Sequence, residues 1–356
     1  MTVATVGITT GRGERASMTA TGWDTSLAHV DDGARAAPLA DGQVRIDVEA
    51  CGVCHRDLID RDGRFAFIQL PIVPGHEAVG RIVEVGPGVT EWRVGDRVGT
   101  MHRDACGACP QCLAGATSLC DRAAWVFGIL VDGGYARSLV SPGSALFALP
   151  DGLPAPEAAV LHCTFGTAWR DIVTLGELRA GQRFLVTGAN GGVGSAAVQI
   201  AARLGAEVVA VVRDERHAGF VRALGAHDVI VDTAGTFHQN SGRFDLVLEA
   251  VGYSTFNASL RALRIGGRMV VVGNVVPEKV ALNLGYVITH GLRIIGGSGA
   301  TRTEMKALLA SHAAQPFRVA IDRVLPLSRA DEAQRAVRAG GLEGRVVVVP
   351  SREAVG

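Results

Sequence analysis

Hydrophobic positions along the chain follow two different rhythms. Between about residues 44 and 140 they come in short β-rich runs punctuated by glycine, among them VRIDVEACGV, AVGRIVEVG and GDRVGT, and this grammar predicts a small, irregular all-β body. From about residue 184 apolar strand-length runs alternate with amphipathic helix-length segments. The order is FLVTG, a helix over 193–204, EVVAVV, the helical ERHAGFVRALG, DVIVDT, FDLVLEAVG, a helix near 254–263, GGRMVVVG, GLRIIGG and the helical TRTEMKALLASHAA. Such alternation predicts a doubly wound parallel sheet, because each parallel strand needs a crossover to reach the next. The last forty or so residues, with VLPL, a helix over 332–337 and the strand RVVVV, read as a return to the first body. The chain carries no internal repeat, and the residues up to about 33 have little pattern.

At 356 residues the chain exceeds what one core ordinarily supports, so two domains are expected. Hydrophobic residues make up 48% and charged residues 20%, enough apolar material for a large core. Lys and Arg total 35 and balance 35 Asp and Glu, which removes the global field a nucleic-acid partner would need and favours a small, uncharged substrate. No basic stretch followed by an apolar run opens the chain, and no later stretch is apolar for long enough to span a bilayer, so a cytoplasmic protein without a membrane partner is expected. The cysteine count is seven, with six in motif-like spacings, and that points to thiolate ligands in a reducing compartment rather than to disulfides.

Cys106, Cys109, Cys112 and Cys120 form Cys-x2-Cys-x2-Cys-x7-Cys in a glycine-containing loop. Four thiolates this close can enclose one zinc ion tetrahedrally as a closed, structural site. Two disulfides compete with that reading, but cysteines three apart in a tight loop rarely meet disulfide geometry. An iron–sulfur cluster also takes four cysteines, and spacing alone leaves it open. A second motif, GANGGVG, lies between the strand FLVT and a helix. Glycine there permits a tight turn, so that the backbone of Gly188, Asn190, Gly191, Gly192, Val193 and Gly194 can approach a pyrophosphate at the helix N-terminus. A glycine-rich turn alone is weak evidence; between a strand and a helix, with further strands in alternation, it marks a dinucleotide site.

Three more segments carry metal-ligand chemistry: CGVCHRD, GHE and LHCTFGTAW. In order with the cysteine loop and the glycine turn, they resemble the zinc-containing medium-chain dehydrogenase/reductase (alcohol dehydrogenase) family over about residues 42–349. The resemblance implies an α/β fold, with a Rossmann doubly wound parallel sheet over 161–314 and a β-rich GroES-like catalytic domain built from 1–160 and 315–356. It implies a second, open zinc site with Cys54, His76 and Cys163 as ligands, two thiolates and a neutral imidazole that leave the fourth position free, while Cys51 stays in the core. Asp57 and Glu77 match carboxylates that orient a ligand or offset the ion's charge, and His55 and Arg345 match contacts to the cofactor pyrophosphate. From the same resemblance follow two zinc ions per chain, hydride transfer between a nicotinamide and an alcohol or carbonyl substrate, and a homodimer or homotetramer paired through the apolar edge strand RIIGG.

Two places depart from the family pattern. Where an NAD-specific enzyme offers an acid to the ribose hydroxyls, this chain has Val212 and Arg213, with Asp214 arriving late, so NADP(H) is favoured over NAD(H); a shift of register promoting Asp214 would restore NAD. Arg56 stands where classical members carry the Ser or Thr hydroxyl that relays the alcohol proton, and a guanidinium has no acceptor atom. Arg56 can face the cofactor phosphates while His162 or a water carries the proton, which leaves alcohol and carbonyl interconversion intact. It can instead stabilise an anionic oxygen during conjugate reduction of an enal, enone or enoyl thioester. The first reading is placed ahead and the second beside it. A non-catalytic NADPH-binding relative is a third, disfavoured because all three open-site ligands are kept.

Overall fold

The computed structural model describes residues 15–30 and 38–350. Residues 1–14 and 351–356, assigned above to the catalytic domain, lie outside the described residues. Six parallel strands stand in the order Asp228–Val231, Glu207–Val212, Arg183–Val186, Phe244–Glu249, Leu263–Val271 and Arg293–Gly296. Counted along the chain this is 3-2-1-4-5-6, the Rossmann order, whose direction reverses beside the strand that leads into the glycine turn. Phe184, Leu185, Val186, Leu246, Val247 and Leu248 are fully buried, as expected for central parallel strands covered on both faces.

Among the boundaries that differ from the sequence reading, two have a clear local reason. Leu263 already pairs with Phe244, so the helix expected near 254–263 is confined to Phe256–Ala262. The strand expected through DVIVDT stops at Val231 because the Asp232 carboxylate turns back to accept the backbone N–H groups of Ala234, Gly235, Thr236 and Phe237.

The second sheet is mostly antiparallel and runs Ile321–Pro326, Arg345–Val349, Gln43–Val53, Glu77–Val85, Arg97–Thr100, Leu146–Ala148, with Ser138–Pro142 also pairing on Gln43–Val53. The strand RVVVV thus lies directly beside the segment that carries Cys51 and Cys54. A long helical segment from Ala155 to Leu175 packs between the two sheets, and one buried apolar cluster joins Ala50, Val79 and Phe147 of the β-rich sheet to Leu161, Ile172, Val186 and Leu248. Burying such side chains stabilises by roughly 1.5–3 kcal/mol each, so this shared core fixes one sheet against the other. Among the described residues no helix is long and apolar enough to cross a membrane.

Candidate active site

Cys54 is the N-cap of helix His55–Arg61. Asp57, at the third helical position, accepts the Cys54 backbone N–H at 3.0 Å through Oδ2, which closes a capping box and fixes the thiol at the helix entrance. The same carboxylate accepts the Tyr135 hydroxyl at 2.9 Å, and its Oδ1 lies 3.1 Å from His76 Nδ1. Holding the proton on Nδ1 leaves the Nε2 lone pair free to ligate. His76 follows a turn at Gly75 (φ 99°), where a Cβ would stand 2.5 Å from the Tyr135 ring and 2.8 Å from Cys51 Sγ; only glycine lets the chain pass. Cys163 comes from the helix that starts at Ala155, which widens into π-type turns over His162–Gly166; such bulges re-aim side chains and recur at functional sites.

The fold thereby gathers Cys54, His76, Glu77 and Cys163 into one buried cluster whose ligand atoms all lie within 4.8 Å of one another. Cys54 Sγ is 3.7 Å from Cys163 Sγ, which in turn is 3.6 Å from His76 Nε2. Two sulfurs each about 2.3 Å from one tetrahedral ion stand about 3.8 Å apart, so the spacing and donor set fit zinc. The hydrogen bond from Cys163 lowers the Cys54 thiol well below its usual range against the effect of burial, while Cys163 is raised. Burial and Arg56 oppose a charge on His76, but Asp57 and Cys54 outweigh them and hold it at about 9. Thiolate, imidazole and carboxylate thus compete for protons in a site whose charge balance a dication would satisfy.

Arg345 spans the two halves of the site. Its Nη2 donates to Glu77 Oε1 at 2.7 Å and lies 3.3 Å and 3.4 Å from the Cys163 and Cys54 sulfurs. Its Nε has no partner and would be 2.7 Å from a Cβ placed on Gly192, so the same side chain lies against the glycine turn. Glu77, which burial pushes up to about 7, is the acceptor that holds it. Arg56 points elsewhere than either expectation: Nη2 donates to the Phe127 carbonyl at 2.7 Å and Nε lies 3.3 Å from Asp60, a buried carboxylate that burial raises to about 7. His55 Nε2 lies 3.2 Å from the Val275 carbonyl, bridging the β-rich body to the Rossmann sheet.

Gly188 adopts φ 59°, and Gly191 caps helix Gly192–Arg203, so the turn presents the start of that helix toward Arg345. Gly194 is required by close approach, since a Cβ there would lie 2.3 Å from the Gly188 carbonyl oxygen. Val193 is half-buried in the first helical turn, and the Asn190 side chain donates to Leu342 O at 3.1 Å, tying the turn to the loop that leads into the strand bearing Arg345. Arg213 is exposed just after Val212 ends its strand. Asp214 is claimed by Arg216, whose Nε donates to it at 2.8 Å and which lowers it to about 2.

Cys106, Cys109, Cys112 and Cys120 form a separate cluster, with Cys109 Sγ 3.9 Å from Cys120 Sγ. Backbone N–H groups of Cys106, Cys109 and Cys112 point at sulfurs of Cys120, Cys106 and Cys109, the usual way a loop steadies thiolate ligands.

Sequence reasoning missed Tyr135, Asp60, Arg216 and His102. The His102 ring lies 4.8 Å from that of His76 and 4.4 Å from that of His162, and nothing in its surroundings in the sequence distinguishes it. Burial lowers both His102 and His162, the latter to about 4, so both rings are neutral.

Residues 40–151 match the family model of the alcohol dehydrogenase GroES-like domain, and residues 192–314 that of the zinc-binding dehydrogenases. The chain is 32% identical over 309 residues to an acryloyl-coenzyme A reductase of Sulfurisphaera tokodaii, covering 86% of this chain and 92% of that protein. It is 35% identical over 315 residues to an alcohol dehydrogenase of Geobacillus stearothermophilus, covering 86% and 92%. Among solved structures, that of AibC superposes with a TM-score of 0.87 at 36% identity, covering 96% of this chain and 97% of the other.

Proposed function

Since the chain belongs to the zinc-containing medium-chain dehydrogenase/reductase family, we propose that it is an NADPH-linked reductase of an activated alkene, with an enoyl thioester as its substrate class. The observation that carries this reading is Arg56. At the place where alcohol-oxidising members offer a hydroxyl, this chain holds a guanidinium tied to Phe127 and Asp60, which cannot accept a proton. The sequence alone placed carbonyl chemistry first; a relative named acryloyl-coenzyme A reductase, added to the missing hydroxyl at position 56, moves conjugate reduction ahead. When bound, zinc between Cys54, His76 and Cys163 supplies a Lewis acid for a carbonyl oxygen, and a reduced nicotinamide supplies the hydride.

The chain's own residues prepare the rest. Asp57 holds Cys54 and the Nδ1 proton of His76 in place, Glu77 and Arg345 balance charge behind the thiolates, and Arg56 adds a fixed positive charge 3.9 Å from Asp57. Hydride at the β-carbon and a proton at the α-carbon then leave a saturated thioester. Arg345, His55 and the turn from Gly188 to Gly194 are assigned to the cofactor pyrophosphate, and Arg213, joined by Arg216, to a 2′-phosphate. The cysteine loop holds the second zinc. The domain division is kept at 161–314 against the remainder, with the cleft between them. A dimer paired along Arg293–Gly296 is supported by the exposed Leu284, Ile288 and Ile294 around that edge.

Carbonyl reduction is the second reading, favoured by the alcohol dehydrogenase relative. Incubation with NADPH and crotonyl-coenzyme A or crotonaldehyde, followed by product identification, separates the two. Saturated product with its carbonyl intact is expected; crotyl alcohol as the main product would contradict the proposal.

A further inference from the structure

Between the cysteine loop and the carboxyl end of the Rossmann sheet lies a cavity of about 510 Å3, lined by His102, His162, Ser118, Ser298 and Gly299 among others. The hydroxyls of Ser118 and Ser298 meet across it at 3.4 Å. Gly299 makes room for the two rings: a Cβ there would come within 2.7 Å of His102 Nδ1 and 3.5 Å of His162 Cε1. His102 also packs edge-on against His76, so the cavity adjoins the metal cluster.

Both imidazoles are incompletely satisfied. His162 is 2% exposed, and its Nε2 lies 3.2 Å from the Ala300 carbonyl. A carbonyl accepts, so Nε2 carries the proton and Nδ1 of the neutral ring is a lone pair; that atom is buried without a partner. His102 Nε2 is also buried and unpartnered, and no hydrogen bond fixes which of its ring nitrogens carries the proton. Leaving a buried polar atom unmatched costs roughly 1–3 kcal/mol, whereas an apolar pocket wall would have cost nothing. A site of this kind rejects a ligand that lacks the matching group far more strongly than an apolar pocket could.

We propose that His162 Nδ1, with His102 packed beside it in the cavity wall, forms a specificity site for a hydrogen-bond-donating group of the substrate, an amide N–H or a hydroxyl, a few bonds from the reacting carbonyl. The inference rests on the enoyl-thioester reading, and the donor has two sources: the amide of a pantetheine-like thiol arm, or a hydroxyl on the acyl chain. Three substrates tell them apart with the full-length, zinc-loaded protein and NADPH: the crotonyl thioester of N-acetylcysteamine, the crotonyl thioester of butanethiol, and the 4-hydroxycrotonyl thioester of butanethiol. The donor-bearing ester that matches should exceed the plain butyl ester at least about tenfold in kcat/KM, and its identity names the arm. His162→Phe and His102→Phe should bring that preference to within about twofold. Equal turnover of all three esters by the unsubstituted protein, or a preference that survives both substitutions, overturns the proposal. If no thioester is reduced, the proposed reaction fails, and the subsite is still read by binding. The saturated butyryl thioester of N-acetylcysteamine or the 4-hydroxybutyryl thioester of butanethiol should then bind at least about tenfold more tightly than the butyryl thioester of butanethiol, and equal affinities of all three would sink it.

Discussion

The two cysteine clusters of this chain are built on opposite plans. Cys106, Cys109, Cys112 and Cys120 come from one loop, their sulfurs accept N–H groups of that same loop, and they pack with little more than Ala105 and Ala123. Cys54 and Cys163 are 109 residues apart, and His76 comes from a third segment. Their meeting depends on a capping box, a glycine turn and a widened helix, and on Asp57, Tyr135 and Arg345 behind them. The loop cluster specifies itself, whereas the dispersed cluster is specified by the fold, and its fourth neighbour is a carboxylate held by Arg345. One arrangement suits a permanent brace and the other a working centre.

Breaking each cluster should therefore have different consequences. His76→Ala is expected to abolish turnover, by about a thousandfold or more, and to leave one zinc per chain by metal analysis with the circular dichroism spectrum preserved. Cys112→Ser should remove the other zinc and lower the thermal midpoint, with the remaining folded protein still active. Asp57→Asn sharpens the comparison, since it leaves every ligand in place; zinc affinity at the dispersed cluster should drop about 10- to 100-fold in a chelator competition, with the loop cluster untouched. Arg216→Ala, which frees Asp214, should raise KM for NADPH by about tenfold and lower that for NADH.

The smallest effect concerns Asp60. Its folded-state value of about 7 exceeds the ordinary 3.8, so between those values the folded chain keeps a proton that the unfolded chain has released. Stability from this group is therefore present at low pH and declines as pH rises from about 4 to about 7. Asp60→Asn should flatten that part of the thermal midpoint against pH by a few degrees, while an unchanged slope would show Arg56 to compensate fully.

How far these regions could be read from sequence follows the same division. The cysteine loop was legible because its chemistry is written in spacing, and the Rossmann strands because both-face burial leaves unbroken apolar runs such as EVVAVV. The open cluster was reachable only by resemblance; no periodicity links positions 54, 76 and 163. Tyr135 and His102 were invisible because a hydroxyl or imidazole acquires meaning from what lies across the fold, here Asp57 at 2.9 Å and a cavity wall. Arg56 was seen as a departure, yet its partners Phe127 and Asp60 were not: the carbonyl of Phe127 is common to every residue, and Asp60 reads as one more acid on a polar helix.

The proposed chemistry requires the dispersed trio to hold a metal ion, and a crystal of the zinc-loaded protein measured at the zinc absorption edge tests this directly. Two anomalous peaks per chain are predicted, one among Cys106, Cys109, Cys112 and Cys120 and one touching Cys54, His76 and Cys163. A single peak, in the cysteine loop alone, would contradict it.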